Sequence, residues 1–185
     1  MKDYLKIKSD DPYIHTWSGH RFHFLNPTVD SVCIEDVAHA LSLQARFNGH
    51  TTELYSVAAH SLVVADLVAQ ETDDPRVVLA ALMHDAAEAY LGDIVSPLKW
   101  LLPDYRQYER TVEECIAKKF DLIYPFPPIV HTADMKALEQ EFDSLPPYAE
   151  TGAPLGRRVA VLDSIPSTQR RDRKWMRLCS FSRTH

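Results

Sequence analysis

Hydrophobic residues recur every three or four positions through most of the chain, which is the period of an α-helix with one buried face. Helix start and stop signals, such as Asp74-Pro75 and Gly92, divide this pattern into separate segments. The predicted helices span residues 31–47, 52–71, 75–91, 104–120 and 129–145. The sequence therefore predicts an all-α fold of about five main helices.

Minor β-structure is predicted near both ends of the chain. Residues 15–27 alternate apolar and polar side chains around Ser18-Gly19, which is typical of a small hairpin. The apolar side chains expected to pack on the body are Trp17, Phe22 and Phe24, and the histidines expected to face solvent are His20 and His23. A second β-segment, RRVAVLD, is predicted at 157–163.

The length and composition are those of one globular domain. With 185 residues, of which 45% are hydrophobic and 25% charged, the chain is long enough for one sizeable core and short for two. We expect a single domain over residues 1–185 with its core at about 34–145. The formal net charge of −6 differs from the basic character of proteins that bind a nucleic-acid backbone, so no nucleic-acid partner is expected.

Cysteine usage and the absence of long apolar runs predict a cytoplasmic location. The three cysteines are far apart and odd in number, and no C-x-x-C occurs, which favours reduced thiols. The start of the chain lacks the apolar core of a signal peptide. The apolar run VVLAALM is far too short to span a bilayer, so no membrane partner is expected.

Four ionisable side chains fall where the helical pattern favours buried apolar residues. They are His60, the neighbours His84 and Asp85, which are expected in the middle of a helix, and Asp134. A buried charge is costly unless it is paired or bound to a metal. Two imidazoles and two carboxylates suit Zn, Mn, Fe or Co and leave coordination positions open for water and substrate. The sequence therefore predicts a divalent-metal site.

The order of these residues resembles the H…HD…D signature of the HD-domain metal-dependent phosphohydrolases. The resemblance covers roughly residues 36–145, and its four motif positions occur in the family's order. It implies an all-α HD-domain helical bundle that hydrolyses phosphate esters. It also implies that His60, His84, Asp85 and Asp134 bind the metal.

Two longer stretches are similar to a subgroup of that family. LMHDAAEAYLGDIVSPLK resembles the segment around the H-D pair in bacterial 5′-deoxynucleotidases and related phage deoxynucleotide triphosphohydrolases. This similarity implies that Glu88 and Asp93 belong to the catalytic site. ARFNGHTTELYSVAAHS also matches, and it implies that Arg46, fourteen residues before His60, binds phosphate while Phe47 packs against the sugar.

The sequence departs from the subgroup at two positions that bear on selectivity. Phe47 stands where some members have a tryptophan that excludes a 2′-hydroxyl. Gly49 stands where one adenine-specific phage enzyme has a bulky aliphatic residue that excludes other bases. The selectivity for sugar and base is therefore open.

The remaining ionisable residues predict how a phosphate would be bound and which groups would transfer protons. Arg46 offers a bidentate fork to phosphate oxygens, and Lys99, in SPLK, is a second cation for substrate binding. Glu88 is expected to orient the attacking water or to move a proton. Asp93 is expected either to hold Arg46 or to protonate the leaving oxygen.

Several functions fit these residues. The short chain resembles the phage enzymes, which favours a deoxynucleoside triphosphate triphosphohydrolase of the dATP type, with Mg²⁺ accompanying the substrate. A 5′-deoxynucleotidase that releases phosphate from a monophosphate is the first alternative, and a metal-bound nucleotide sensor without turnover is another. The expected partners are a small-molecule nucleotide and further copies of the chain, in a dimer or a hexamer.

Overall fold

The computed structural model describes residues 11–51 and 53–144. These residues form seven α-helices and a two-stranded antiparallel sheet, so the predicted all-α class is confirmed. The elements are β1 (Tyr13–His15), β2 (Arg21–His23), α1 (Ile34–Leu43), α2 (Val57–Ala69), α3 (Pro75–Leu82), α4 (Glu88–Leu91), α5 (Ser96–Lys99), α6 (Pro103–Phe120) and α7 (Pro128–Ser144). The β-segment predicted at 157–163 lies outside the described residues.

The predicted hairpin is present, with Ile14 paired to Phe22 in antiparallel register. Phe22 is fully buried, and its ring stacks on Tyr90 with the centroids 4.0 Å apart. The prediction that Trp17 packs on the body was wrong, because its side chain is 67% exposed, although its ring stacks on that of His39. His23 is half-buried rather than solvent-facing, since it pairs with Asp11.

Helix α2 lies at the centre of the fold and packs against α1, α3 and α7. It begins at Val57 because the Ser56 hydroxyl accepts a hydrogen bond from the amide of Ala59. This start is later than the predicted one at residue 52. The reason is an extended segment before the helix, in which Tyr55 accepts a backbone hydrogen bond from Arg46.

The predicted helix over 75–91 is two helices joined by a turn, so this prediction was wrong. Helix α3 starts as expected, with Asp74 as its N-cap and Pro75 in the first turn, but it ends at Leu82. Residues 83–87 form successive tight turns, and α4 begins only at Glu88. His84 and Asp85 therefore lie beyond the end of α3 and not in the middle of a helix.

The segment between α1 and α2 contains an irregular turn. Helix α1 ends at Leu43, and residues Arg46–Gly49 form a short 3-10 turn. Phe47 and Asn48 have φ values of 54° and 52°, a left-handed conformation that is strained for an aromatic residue. Within the described residues, no helix combines the length and apolar character needed to cross a bilayer.

Candidate metal and phosphate site

The four predicted metal ligands converge from three parts of the fold. His60 comes from α2, Asp134 from α7, and His84 and Asp85 from the turn after α3. Nε2 of His60 lies 3.0 Å from Oδ1 of Asp134, and Nε2 of His84 lies 3.2 Å from Oδ2 of Asp85. The crossed pairs, His60 with Asp85 and His84 with Asp134, are 3.6 and 3.8 Å apart.

The hydrogen bonds of the two imidazoles suit a metal ion between these residues. Nδ1 of His84 donates to the carbonyl of Ala81 at 2.8 Å, and Nδ1 of His60 bonds to the Glu141 carboxylate at 2.6 Å. Both Nε2 atoms are buried and have no hydrogen-bond partner in the described structure, although carboxylate oxygens face them. In the neutral tautomers, lone pairs on Nε2 would face carboxylates, an arrangement that a bound cation stabilises.

The turn after α3 explains how adjacent residues reach one point. The amide of Ala86 bonds to the carbonyl of Met83, and the amide of Glu88 bonds to that of Asp85, so each bond spans three residues instead of four. This tighter winding differs from the regular α-helix expected for the segment. It places the side chains of both His84 and Asp85 beside His60.

Opposite charges dominate the electrostatics of the cluster. Burial disfavours the charged form of every member, but the neighbouring histidines hold the pKa of Asp134 below its usual range. Burial likewise opposes the charge of Asp85, yet His84, His60 and Arg46 lower its pKa. For His84, the carboxylates of Asp85 and Asp134 outweigh burial and raise the pKa. The cluster is therefore a site of strong, fixed charge.

Glu141 is part of this site and was missed in the sequence analysis. Its side chain is only 5% exposed and accepts hydrogen bonds from His60 Nδ1, the Tyr55 hydroxyl at 2.8 Å and the Arg46 guanidinium at 2.9 Å. These contacts outweigh burial and lower its pKa. The available signal was spacing, because Glu141 follows Asp134 by two helical turns and so lies on the same face of α7.

Arg46, the predicted phosphate-binding residue, lies next to the histidine–aspartate cluster. Its side chain is 12% exposed, with Nη2 bonded to Glu141 and Nη1 3.8 Å from Oδ2 of Asp85. Arg46 and Glu141 therefore form a buried ion pair. The guanidinium lies over the ring of Phe47, 5.4 Å from its centroid, and Phe47 in turn contacts Phe142 edge to face.

The side chains of Glu88 and Lys99 are in contact beside the cluster. Nζ of Lys99 lies 3.1 Å from Oε1 of Glu88 and 2.7 Å from Oε1 of Glu109 on α6. Burial, together with the charges of Asp85 and Asp93, raises the pKa of Glu88 well above its usual range. Burial also raises the pKa of Asp93, although Arg46 opposes the shift. Burial thus favours the neutral form of both carboxyls.

A polar cavity of about 320 Å³ lies on the side of Lys99 that faces α6. Its charged lining consists of Lys99, Arg106, Arg110, Glu109 and Glu113. Neither Arg106 nor Arg110 forms an ion pair within the part of the chain that the structure describes. Lys99 therefore separates the buried carboxyl of Glu88 from a space with two unpaired guanidinium groups.

The helical fold and the histidine–aspartate cluster together define an HD domain. Residues 47–151 match the family model described as HD domain, and the chain belongs to this family. HD domains are in general metal-dependent phosphohydrolases.

Two relatives are similar over most of the chain. The uncharacterized protein YfdR of Escherichia coli is 38% identical over 161 residues, which are 85% of this chain and 82% of the relative. An uncharacterized protein of Rhodobacter capsulatus is 37% identical over 145 residues, which are 74% of each chain. These relatives extend the similarity beyond the HD-domain segment, towards the N-terminal hairpin or the C-terminal region, without indicating a substrate.

Proposed function

We propose that the protein hydrolyses the phosphate ester of 2′-deoxynucleotides, with deoxynucleoside triphosphates as substrates and a deoxynucleoside and triphosphate as products. The observation that carries this proposal is the position of Arg46, whose Nη1 lies 3.8 Å from Oδ2 of the expected metal ligand Asp85. A phosphate held by that guanidinium would lie beside the metal-binding cluster. Such a juxtaposition serves phosphoryl hydrolysis, which depends on positioning and on neutralising charge.

The expected ligands are His60, His84, Asp85 and Asp134, a nitrogen and oxygen set that suits Mn, Fe, Co or Zn. A metal bound there would neutralise phosphate charge and lower the pKa of a coordinated water. The neighbouring groups would then orient the substrate and move its protons.

Arg46 has the geometry to bind the reacting phosphate. Its guanidinium is held by Glu141 and lies over the ring of Phe47, so its position is fixed before substrate arrives. A planar, preorganised fork loses little conformational entropy when it binds phosphate oxygens. Phe47, presented by a left-handed turn, offers an apolar surface to the deoxyribose.

Glu88 and Asp93 are proposed as the proton-transfer groups. Burial raises the pKa of each, and general acid–base catalysis is most effective when the pKa lies near the working pH. Glu88 is fixed by Lys99, which suits a group that orients water. Asp93 lies close enough to Arg46 for their charges to interact, which suits a group that acts on the leaving oxygen of the bound ester.

The cavity beside Lys99 favours a triphosphate over a monophosphate. Lys99, Arg106 and Arg110 line one space, and the two arginines have no carboxylate partner within the described residues. A monophosphate bound by Arg46 would leave these cations unused, whereas β- and γ-phosphates extend beyond the reacting phosphorus. This support is specific to a triphosphate substrate.

Product analysis tests the proposal directly. Purified protein is incubated with Mn²⁺ or Co²⁺ and with matched deoxynucleoside mono- and triphosphates and ribonucleotides, and the products are separated by chromatography. Release of intact triphosphate from a deoxynucleoside triphosphate is the expected result. Release of phosphate from monophosphates alone would establish a 5′-deoxynucleotidase, and no turnover with any metal would overturn the enzyme proposal in favour of a binding role.

A further inference from the structure

We propose that His20, Cys33 and Asp36 form a second metal site, separate from the hydrolytic cluster, which takes Zn²⁺ or another thiophilic divalent ion. One donor atom from each of these side chains lies within 4.8 Å of the others. Within the described residues, only one other group of histidine, cysteine and acidic side chains meets the same condition, and it contains His60, His84 and Asp134.

The three donors come from two neighbouring elements. Cys33 is the N-cap of α1 and Asp36 lies in its first turn, so their three-residue spacing places them on one face of the helix. His20 follows the turn of the hairpin, whose Ser18 hydrogen-bonds to Asp36. The Asp36 side chain is 3% exposed and that of His20 is 51% exposed, so the site has a buried base and an open side.

The Ser18 hydroxyl lies among the three donors. Its Oγ is 2.7 Å from Nδ1 of His20, 2.7 Å from Oδ2 of Asp36 and 3.6 Å from Sγ of Cys33. Rotation about one side-chain bond of Ser18 would make room for an ion at that point. The backbone amide of Ser18 would keep its 2.7 Å hydrogen bond to Oδ1 of Asp36, so the turn would stay docked while Oδ2 bound the metal.

A buried polar group next to the cluster also lacks a partner. The Tyr90 side chain is 5% exposed, and its hydroxyl makes no hydrogen bond of acceptable distance and angle with the described residues. It lies close to the backbone of Cys33 and is within range of the charge on Asp36. A buried hydroxyl normally has a hydrogen-bond partner, and a water completing the coordination of the ion would supply one.

The donor chemistry distinguishes this site from the hydrolytic one. A thiolate selects Zn²⁺ over hard ions, whereas the hydrolytic cluster offers only nitrogen and oxygen. Binding would break the S–H bond of Cys33, release its proton to solvent and form a metal–sulfur bond, without a redox step. The ion would join the hairpin to α1 beside Tyr90, whose ring stacks on Phe22.

Titration with Co²⁺ tests the proposal, because a thiolate bound to Co²⁺ gives a charge-transfer absorption in the near ultraviolet that nitrogen and oxygen ligands do not. Reduced, metal-free wild-type protein is expected to show this band and to bind two ions per chain. Cys33→Ser should lose the band and bind one ion. Cys115→Ser and Cys179→Ser are matched controls that should keep the absorption band and bind two ions per chain.

His20→Gln provides a second variant that is independent of the thiol. Its side chain is half exposed, so the substitution leaves the core intact, and we expect the affinity for the Co²⁺ ion that gives the band to fall about tenfold or more. Absence of the band in the wild type, its persistence in Cys33→Ser, or an unchanged affinity in His20→Gln would overturn the proposal. Because the readouts are absorption and stoichiometry, they do not depend on catalysis.

Discussion

Nδ1 of His60 lies 2.6 Å from Oε1 of Glu141, and this contact turns Nε2 of the ring towards Asp134. The same carboxylate holds the Arg46 guanidinium through its other oxygen. One buried side chain therefore orients an expected metal ligand and an expected phosphate ligand together. A change at Glu141 should affect both functions.

Glu141→Ala is expected to weaken metal binding by about 10- to 100-fold, because the His60 ring loses the group that fixes its tautomer and orientation. Metal affinity is measured by competition with a chromophoric chelator. Glu139→Ala, an exposed position on the same helix, is the control and should bind normally. Equal affinities for the two variants would contradict the proposed role of Glu141.

Asp85→Ala and Glu88→Gln should separate metal binding from catalysis. Asp85 faces Nε2 of both histidines, so its removal is expected to abolish metal binding and activity together. Glu88 contacts Lys99 instead, so Glu88→Gln should retain the metal and lose activity. Metal content by mass spectrometry and turnover are compared in the same preparations. Full metal content in Asp85→Ala would show that the ligand assignment is wrong.

The raised pKa of Glu88 predicts a pH-dependent stability. An unfolded glutamate releases its proton near pH 4.3, whereas Glu88 in the folded protein keeps its proton to higher pH. The free energy of unfolding should therefore fall as pH rises from the unfolded pKa through the folded pKa. The size of this fall is about 1.4 kcal/mol per unit of pKa shift. Glu88→Gln should reduce this loss, leaving the contributions of His84, Asp93 and Glu113, whose pKa values are also raised. Urea unfolding of metal-free protein from about pH 5 to 8 measures it.

Glu71→Gln is the control for this experiment, since Glu71 is exposed and should leave the pH dependence of the wild type unchanged. A Glu88→Gln profile with the wild-type slope would show that Glu88 does not hold a proton in the folded state.

Arg46→Lys tests whether phosphate is bound by two parallel hydrogen bonds from a guanidinium or by positive charge alone. Lysine keeps the charge but cannot make two parallel hydrogen bonds, so kcat/KM for nucleotides is expected to fall by about 10- to 150-fold, equivalent to about 1.4–3 kcal/mol. Arg76→Lys, whose side chain is 62% exposed at the start of α3, should leave kinetics unchanged. Wild-type kcat/KM in Arg46→Lys would rule out bidentate binding.

The arginines that line the cavity predict that KM depends on the number of phosphates in the substrate. Arg106→Gln and Arg110→Gln are each expected to raise KM for a triphosphate severalfold, because an ionic contact to a distal phosphate is lost. Inhibition by inorganic phosphate, which we expect to bind at Arg46 and the histidine–aspartate cluster, should stay the same. If each variant raised KM for the triphosphate and weakened inhibition by phosphate to the same extent, the cavity would not hold distal phosphates.

The longer helices were predictable because their apolar period and end signals are local. Asp74-Pro75 marks the start of α3, and Pro103 the start of α6. The break after Leu82 has no such signal, since alanine and leucine around it favour helix. The turn instead contacts α2 through Asp85 and His60 and contacts α7 through His84 and Asp134, and these partners are distant in sequence.

The candidate site, like the helices, was predictable from the sequence only in part. Motif residues are visible in the sequence, and the structure brings His60, His84, Asp85 and Asp134 together as expected. Glu141 could not be predicted because it belongs to no dipeptide motif, and one carboxylate on a helix is usually solvated. Its role depends on the packing of α7 against α2, which brings it to the His60 ring.

The four expected ligands belong to three segments that only the folded chain brings together. An ion held by all of them therefore has no equivalent site in the unfolded chain, and its concentration enters the folding equilibrium. Above the dissociation constant, each tenfold increase in free metal adds about 1.4 kcal/mol to the free energy of unfolding. The free metal concentration would thus help to set the fraction of chains that is folded.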